Sequence, residues 1–206
     1  MRLVFRRISA FVLDMFLITF LTMAVSNLSY LNPYKYEYEE TQTNYLNNYN
    51  EFISNLDELD EKELLNIMAN PYHKLIKYGV FIDIYYLLFS FLYFVIFAYF
   101  NKCQTIGKKV FKLKVVGKKK KEVSLMQMIL RNLIYGSNLY MGINLFLLIK
   151  IILIITIKSS EPFYYLMALL TYSQIIIELI SIVLLLKNKD RSLSDLISNT
   201  KIIDLK

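Results

Sequence analysis

The sequence predicts an all-α membrane protein of four transmembrane helices, with the N- and C-termini cytoplasmic and a small cytoplasmic interfacial platform. Apolar runs recur at 8–28, 79–100, 139–157 and 163–186, each near the roughly 20 residues that cross a hydrocarbon core as a helix. The polar connections between the runs segregate by charge. Hydrophobic residues make up 56% of the 206 positions and the net charge is +7, a balance that excludes an ordinary soluble domain and points to positive-inside topology.

The first run carries a single ionisable side chain, Asp14, between Ile8 and Leu28. Centring a carboxylate in a bilayer costs about 2.5 to 3.5 kcal/mol, so the residue is expected to face a bundle interior. Arg7 and Asp14 are seven residues apart, which on a helix returns them to nearly the same face, roughly 10 Å apart along the axis. Ala10 shares that stripe and is small enough to admit a neighbouring helix. A cleavable signal peptide is the other reading of this segment, with Arg2, Arg6 and Arg7 leading an apolar core and Ala24-Val25-Ser26 behind it; the charge at Asp14 argues against it.

Residues 29–78 hold nine Asp or Glu against four Lys and are read as the external polar loop. Within it, 55–69 has helical spacing of Leu56, Leu59, Glu63 and Ile67, with Pro71 expected to end the helix. His73, the lone histidine, is expected to be a solvated imidazole. The second run, 79–100, is interrupted by Asp83. Residues 101–131 then carry nine Lys and Arg131 against one acid, Glu122. This basic cytoplasmic loop is expected to meet anionic headgroups through Lys108, Lys109, Lys118, Lys119, Lys120 and Lys121. No stacking platform or groove-reading motif accompanies the lysines, so nucleic acid is not an expected partner.

Ser124 and Gln127 have the form of a capping box opening a helix through Leu130, Arg131 and Ile134. The third run, 139–157, contains Lys150; the fourth, 163–186, contains Glu178 and is followed by Lys187, Lys189 and Arg191. In the tail, 190–206, Leu193, Leu196 and Ile197 read as an interfacial helix capped by Ser192, and 201–204 reads as a strand able to pair with 112–116.

Depth along the helices, at about 1.5 Å per residue, groups the buried charges. Asp14 and Glu178 fall roughly 9 and 12 Å from the inner edge, while Asp83 and Lys150 fall near the outer one. Together they form a candidate ion or proton path. No catalytic triad, zinc-protease motif, phosphate-cradling glycine loop or dinucleotide fingerprint is present, so neither enzyme activity nor a cofactor is expected. Cys103 alone offers neither a disulfide nor a metal site.

Several motifs occur in order: Arg7, Ala10 and Asp14 in the first run; Gln104-Thr105-Ile106-Gly107-Lys108-Lys109 with Leu113-Lys114-Val115-Val116 after the second; Arg131; and 190–200, Asp190-Arg191-Ser192-Leu193-Ser194-Asp195 onward. In this order they resemble the RDD family of bacterial integral membrane proteins, named for one arginine and two aspartates. By position these are Arg7, Asp14 and Asp195; Arg6 falls off the Asp14 face. Ser194 stands where the family commonly has His, and Lys109 and Lys114 where it often has Arg. The resemblance implies a bacterial plasma-membrane protein with a transport role, cation/proton exchange included. Four helices make a thin pathway, so a homo-oligomer is expected if the chain transports. The alternative is a non-transporting scaffold whose basic platform binds lipid or a partner. On the bare residues, Gly107 is expected to supply a tight turn of positive φ where the chain leaves the bilayer.

Overall fold

The computed structural model describes residues 2–54, 60–118, 122–134, 136–137, 142–188 and 191–205. Three helices are long and apolar enough to cross a membrane: α1 (Arg2–Ser26), α4 (Val80–Phe100) and α8 (Ser160–Asn188), each reaching a mean hydropathy of 2.2. A shorter apolar helix, α7 (Asn144–Thr156), covers the middle of the third expected crossing. At 13 residues it is about 20 Å long, less than a hydrocarbon core. Residues 139–141, where that run begins, lie outside the described residues.

The polar stretch after α1 is a helical hairpin, α2 (Lys35–Ser54) and α3 (Glu61–Tyr78). Asp60 caps α3 by accepting the Glu63 N–H at 2.8 Å. Pro71 does not end this helix, which continues to Tyr78. Proline removes one i to i−4 bond, and the turn that follows it is held by tertiary contacts: Tyr72 and His73 pack on Phe163. His73 is accordingly no solvated imidazole; its Nε2 lies 3.2 Å from the Ile157 carbonyl oxygen at the end of α7. The segment 55–59 lies outside the described residues.

Between α4 and α7 the chain builds the platform from α5 (Ile106–Val110), strand β1 (Leu113–Gly117), α6 (Leu125–Leu133) and the small hairpin β2 (Gly136–Ser137) and β3 (Gly142–Ile143). The tail adds α9 (Leu193–Ile197) and β4 (Thr200–Asp204). β1 and β4 pair antiparallel with Leu113 opposite Asp204 and Gly117 opposite Thr200, the ladder expected between the basic loop and the tail. The capping box is present, Ser124 accepting the Gln127 N–H and Gln127 accepting the Ser124 N–H. Arg6 pairs with Asp204, which ties the start of α1 to β4 and puts both chain ends at one end of the bundle.

The platform does not merely lie along the helix ends. Apolar Ala10, Val95 and Ala98 of the long helices share one core with Leu113, Val115, Val123, Met128 and Ile202 of the platform, and α5 wedges between α1 and α4. Irregular backbone at such depth is tolerated only where protein buries it, and Thr105, Gly107 and Lys108 are all buried. Above this layer Ile18, Tyr86, Phe94 and Leu147 form a second core.

Candidate buried charge centre

One face of α1 supplies Arg7, Ala10, Asp14, Ile18, Thr22 and Ser26, all buried, at helical spacings of three and four. The stripe expected from the sequence exists. Its pairings differ from those expected.

Asp14 is fully buried. Its Oδ1 accepts the Tyr93 hydroxyl at 2.6 Å and the Gly107 N–H at 2.8 Å; its Oδ2 accepts the Thr105 hydroxyl at 2.6 Å. The cation nearest to it is Lys108, with Nζ 3.8 Å from Oδ2, and not Arg7. The local reason is the start of α5. Thr105 is its N-cap and accepts the Lys108 N–H, so the first turn aims its hydroxyl and the Gly107 amide at α1.

Gly107 is required there by contact and not by backbone freedom. It lies within helix α5, and the positive-φ residues nearby are Lys102, Cys103 and Lys112. A Cβ on Gly107 would collide with the Ala10 carbonyl oxygen and lie 2.7 Å from Asp14 Oδ1. The neighbour that the small Ala10 admits is thus the amide backbone of α5.

Tyr93 stands in a π-helical turn, Leu92–Phe97, inside α4. Such turns re-aim side chains and recur at functional sites. Here the Tyr93 hydroxyl also accepts the Ile106 N–H at 3.0 Å, linking α4, α5 and Asp14.

Arg7 reaches Asp195 instead, and Arg131 of α6 pairs with the other oxygen of the same carboxylate. Asp195 is fully buried and also accepts the Ser192 N–H at 2.9 Å. Burial raises its pKa, yet Arg131 and Arg7 outweigh that and hold it down at about 2. Arg131 additionally donates to the Thr200 hydroxyl at 3.0 Å.

Lys108, expected to face lipid, is 4% exposed and sits 5.6 Å from the Phe94 ring centre. Burial, with Arg131 and Arg7 adding to it, lowers its pKa to about 8 against the opposing pull of Asp14 and Asp195. A cavity of about 10 Å³, the size of one water, lies between Lys108 and Arg131. Lys109 and Lys118 are exposed, while Lys119, Lys120 and Lys121 lie outside the described residues.

Nearer the other end, Asp83 is buried and Lys150 Nζ lies 2.7 Å from its Oδ2, so these two expected neighbours do meet. Glu178 does not join Asp14; it is half-buried on α8 and takes the Gln174 amide at 3.4 Å. Between the two levels Asn144 donates to Ser90 at 2.8 Å and to Asn132, and Ser90 donates to Asn132 at 3.2 Å. The Asn144 Oδ1 and Thr22 Oγ1 atoms are buried with no hydrogen-bond partner among the described residues.

Nothing in the sequence alone marks Tyr93, Asn132 or Asn144 as site residues. Thr105 carries a signal, within the Gln104 to Lys109 motif and as a capping residue ahead of a short basic turn.

No curated protein and no solved structure matches the chain. A family model described as RDD family matches residues 1–199 of the 206. The chain, which carries that match over nearly its whole length, belongs to the RDD family.

Proposed function

We propose that this integral membrane protein crosses the bilayer four times, with both termini cytoplasmic, in a bacterial plasma membrane, and that it moves a proton or a small cation past Asp14. The observation that carries the reading is that polar or ionisable groups are buried at successive levels of the bundle: Asp195, Asp14, Asn144 with Thr22, then Asp83, which the half-buried Lys150 meets. Burying so many polar groups in an oil-facing bundle costs stability, and groups retained at such cost mark ion or proton pathways. Lys108 acts as an internal counter-cation for Asp14: when a proton or metal cation neutralises the carboxylate, the lysine is released to shed its own proton. The role is non-enzymatic.

The test is proton flux driven by a sodium or potassium gradient in proteoliposomes, comparing the parent with Asp14→Asn at equal insertion. Flux reduced at least tenfold, about 1.4 kcal/mol in the barrier, supports the reading; unchanged flux sinks it.

A second reading is favoured by the saturation of Asp14, both of whose oxygens already hold donors. In it the centre is a lock that seats a lipid- or partner-binding platform on the bundle. Under it no flux is seen with the parent, and Asp14→Asn lowers abundance.

A further inference from the structure

Below the charge centre a cavity of about 190 Å³ opens between α1, α6, α8 and α9. Its walls are of two kinds. Arg7, Arg131 and Ser192 supply guanidinium and hydroxyl groups; Ile8, Phe11 and Leu185 supply an apolar flank. Both arginines are nearly buried, at 7% and 4% exposure, and both are fixed in place by Asp195 rather than waving in solvent. Ile8 is 50% exposed, so the apolar flank continues outward onto the surfaces of α1 and α8, two of the three helices long and apolar enough to cross a membrane.

We infer that this cavity binds the phosphate ester of a membrane phospholipid, its charged group held by Arg7, Arg131 and Ser192 and its glycerol and first methylenes lying along Ile8, Phe11 and Leu185. Planar guanidinium groups match phosphate oxygens in geometry as well as charge. The position suits the ligand: the cavity lies at the end of the bundle holding both chain ends, beside the start of the apolar run of α1 and the end of that of α8. Its volume fits a phosphate with its ester linkages and not a whole lipid, so the tails lie outside, along the helices. The serines add neutral donors; Ser194, also on the wall, is half of a hydroxyl pair with Ser192 at 3.0 Å. This site is separate from the Asp14 centre, and its failure leaves the transport reading standing.

The experiment uses the full chain in lipid nanodiscs or mild detergent and measures saturable binding of dioleoylphosphatidylglycerol against dioleoylglycerol, which has the same tails and no phosphate. The phosphatidylglycerol is expected to bind at least tenfold more tightly, about 1.4 kcal/mol; equal binding overturns the proposal with the parent protein alone. Leu185→Trp on α8 and, independently, Ile8→Trp on α1 fill the cavity at its apolar flank and not at the ion pairs, and either one is expected to weaken phosphatidylglycerol binding about tenfold with unchanged thermal midpoint. Retained binding in a folded variant contradicts the site. Millimolar inorganic phosphate then distinguishes the sources: no displacement identifies the lipid, whereas full displacement shows that free phosphate occupies the arginines and overturns the lipid assignment.

Discussion

The amide of Gly107 lies 2.8 Å from Oδ1 of Asp14, across an approach so close that the glycine has no room for a side chain. One hydrogen atom in place of a methyl group lets α5 enter the bundle and bring Thr105 and Lys108 to the carboxylate.

Gly107→Ala is therefore expected to destabilise through overpacking and through loss of the amide bond to a buried charge, by about 3 kcal/mol in total. Thermal unfolding in detergent checks this.

Asp195 is held between two guanidinium groups, and its folded-state pKa of about 2 lies below the unfolded value of about 3.9. The stability it contributes is present above about pH 4 and is lost as pH falls through 2, amounting to about 2 to 3 kcal/mol for a fully buried group. Melting curves between pH 7 and pH 2 are expected to show this fall in the parent. Asp195→Asn leaves two buried cations without their carboxylate, is expected to cost about 3 to 5 kcal/mol at pH 7, and flattens the acid limb.

Lys108 has the opposite sign. Its folded pKa of about 8 lies below the ordinary lysine value of about 10.4, so the penalty for burying its charge is present below pH 8 and disappears as pH rises towards 10.4. Its contribution to stability is expected to rise across that window in the parent, and Lys108→Met is expected to remove the rise. A parent and variant with parallel pH profiles contradict the burial of a charged lysine.

Asp83 and Lys150 form a pair whose removal one partner at a time leaves a buried or half-buried charge. Lys150→Met is expected to cost about 3 kcal/mol, and Asp83→Leu with Lys150→Met together less than the sum of the two. A double-mutant cycle of thermal stabilities checks the coupling.

The long helices were legible because hydropathy and length suffice to find them, and the tail ladder because 112–116 and 201–204 were the apolar β-like segments left on the same side. The face of α1 was legible too, since Arg7, Ala10 and Asp14 obey one period. What fills that face was not. Periodicity says which side of a helix is inward and nothing about which distant residue arrives there, and Lys108 comes from 94 positions beyond Asp14. Depth matching failed for Glu178 for the same reason: equal height on two helices does not rotate them to face each other. At Pro71 a local rule lost to tertiary packing around Tyr72 and His73.

The most direct measurement of the central claim is the infrared carboxyl-stretch difference spectrum of the protein in bilayers when sodium or protons are added. The account predicts a protonation or cation-binding band that appears in the parent and is absent from Asp14→Asn. A band that survives unchanged in Asp14→Asn, together with unchanged flux, would contradict it.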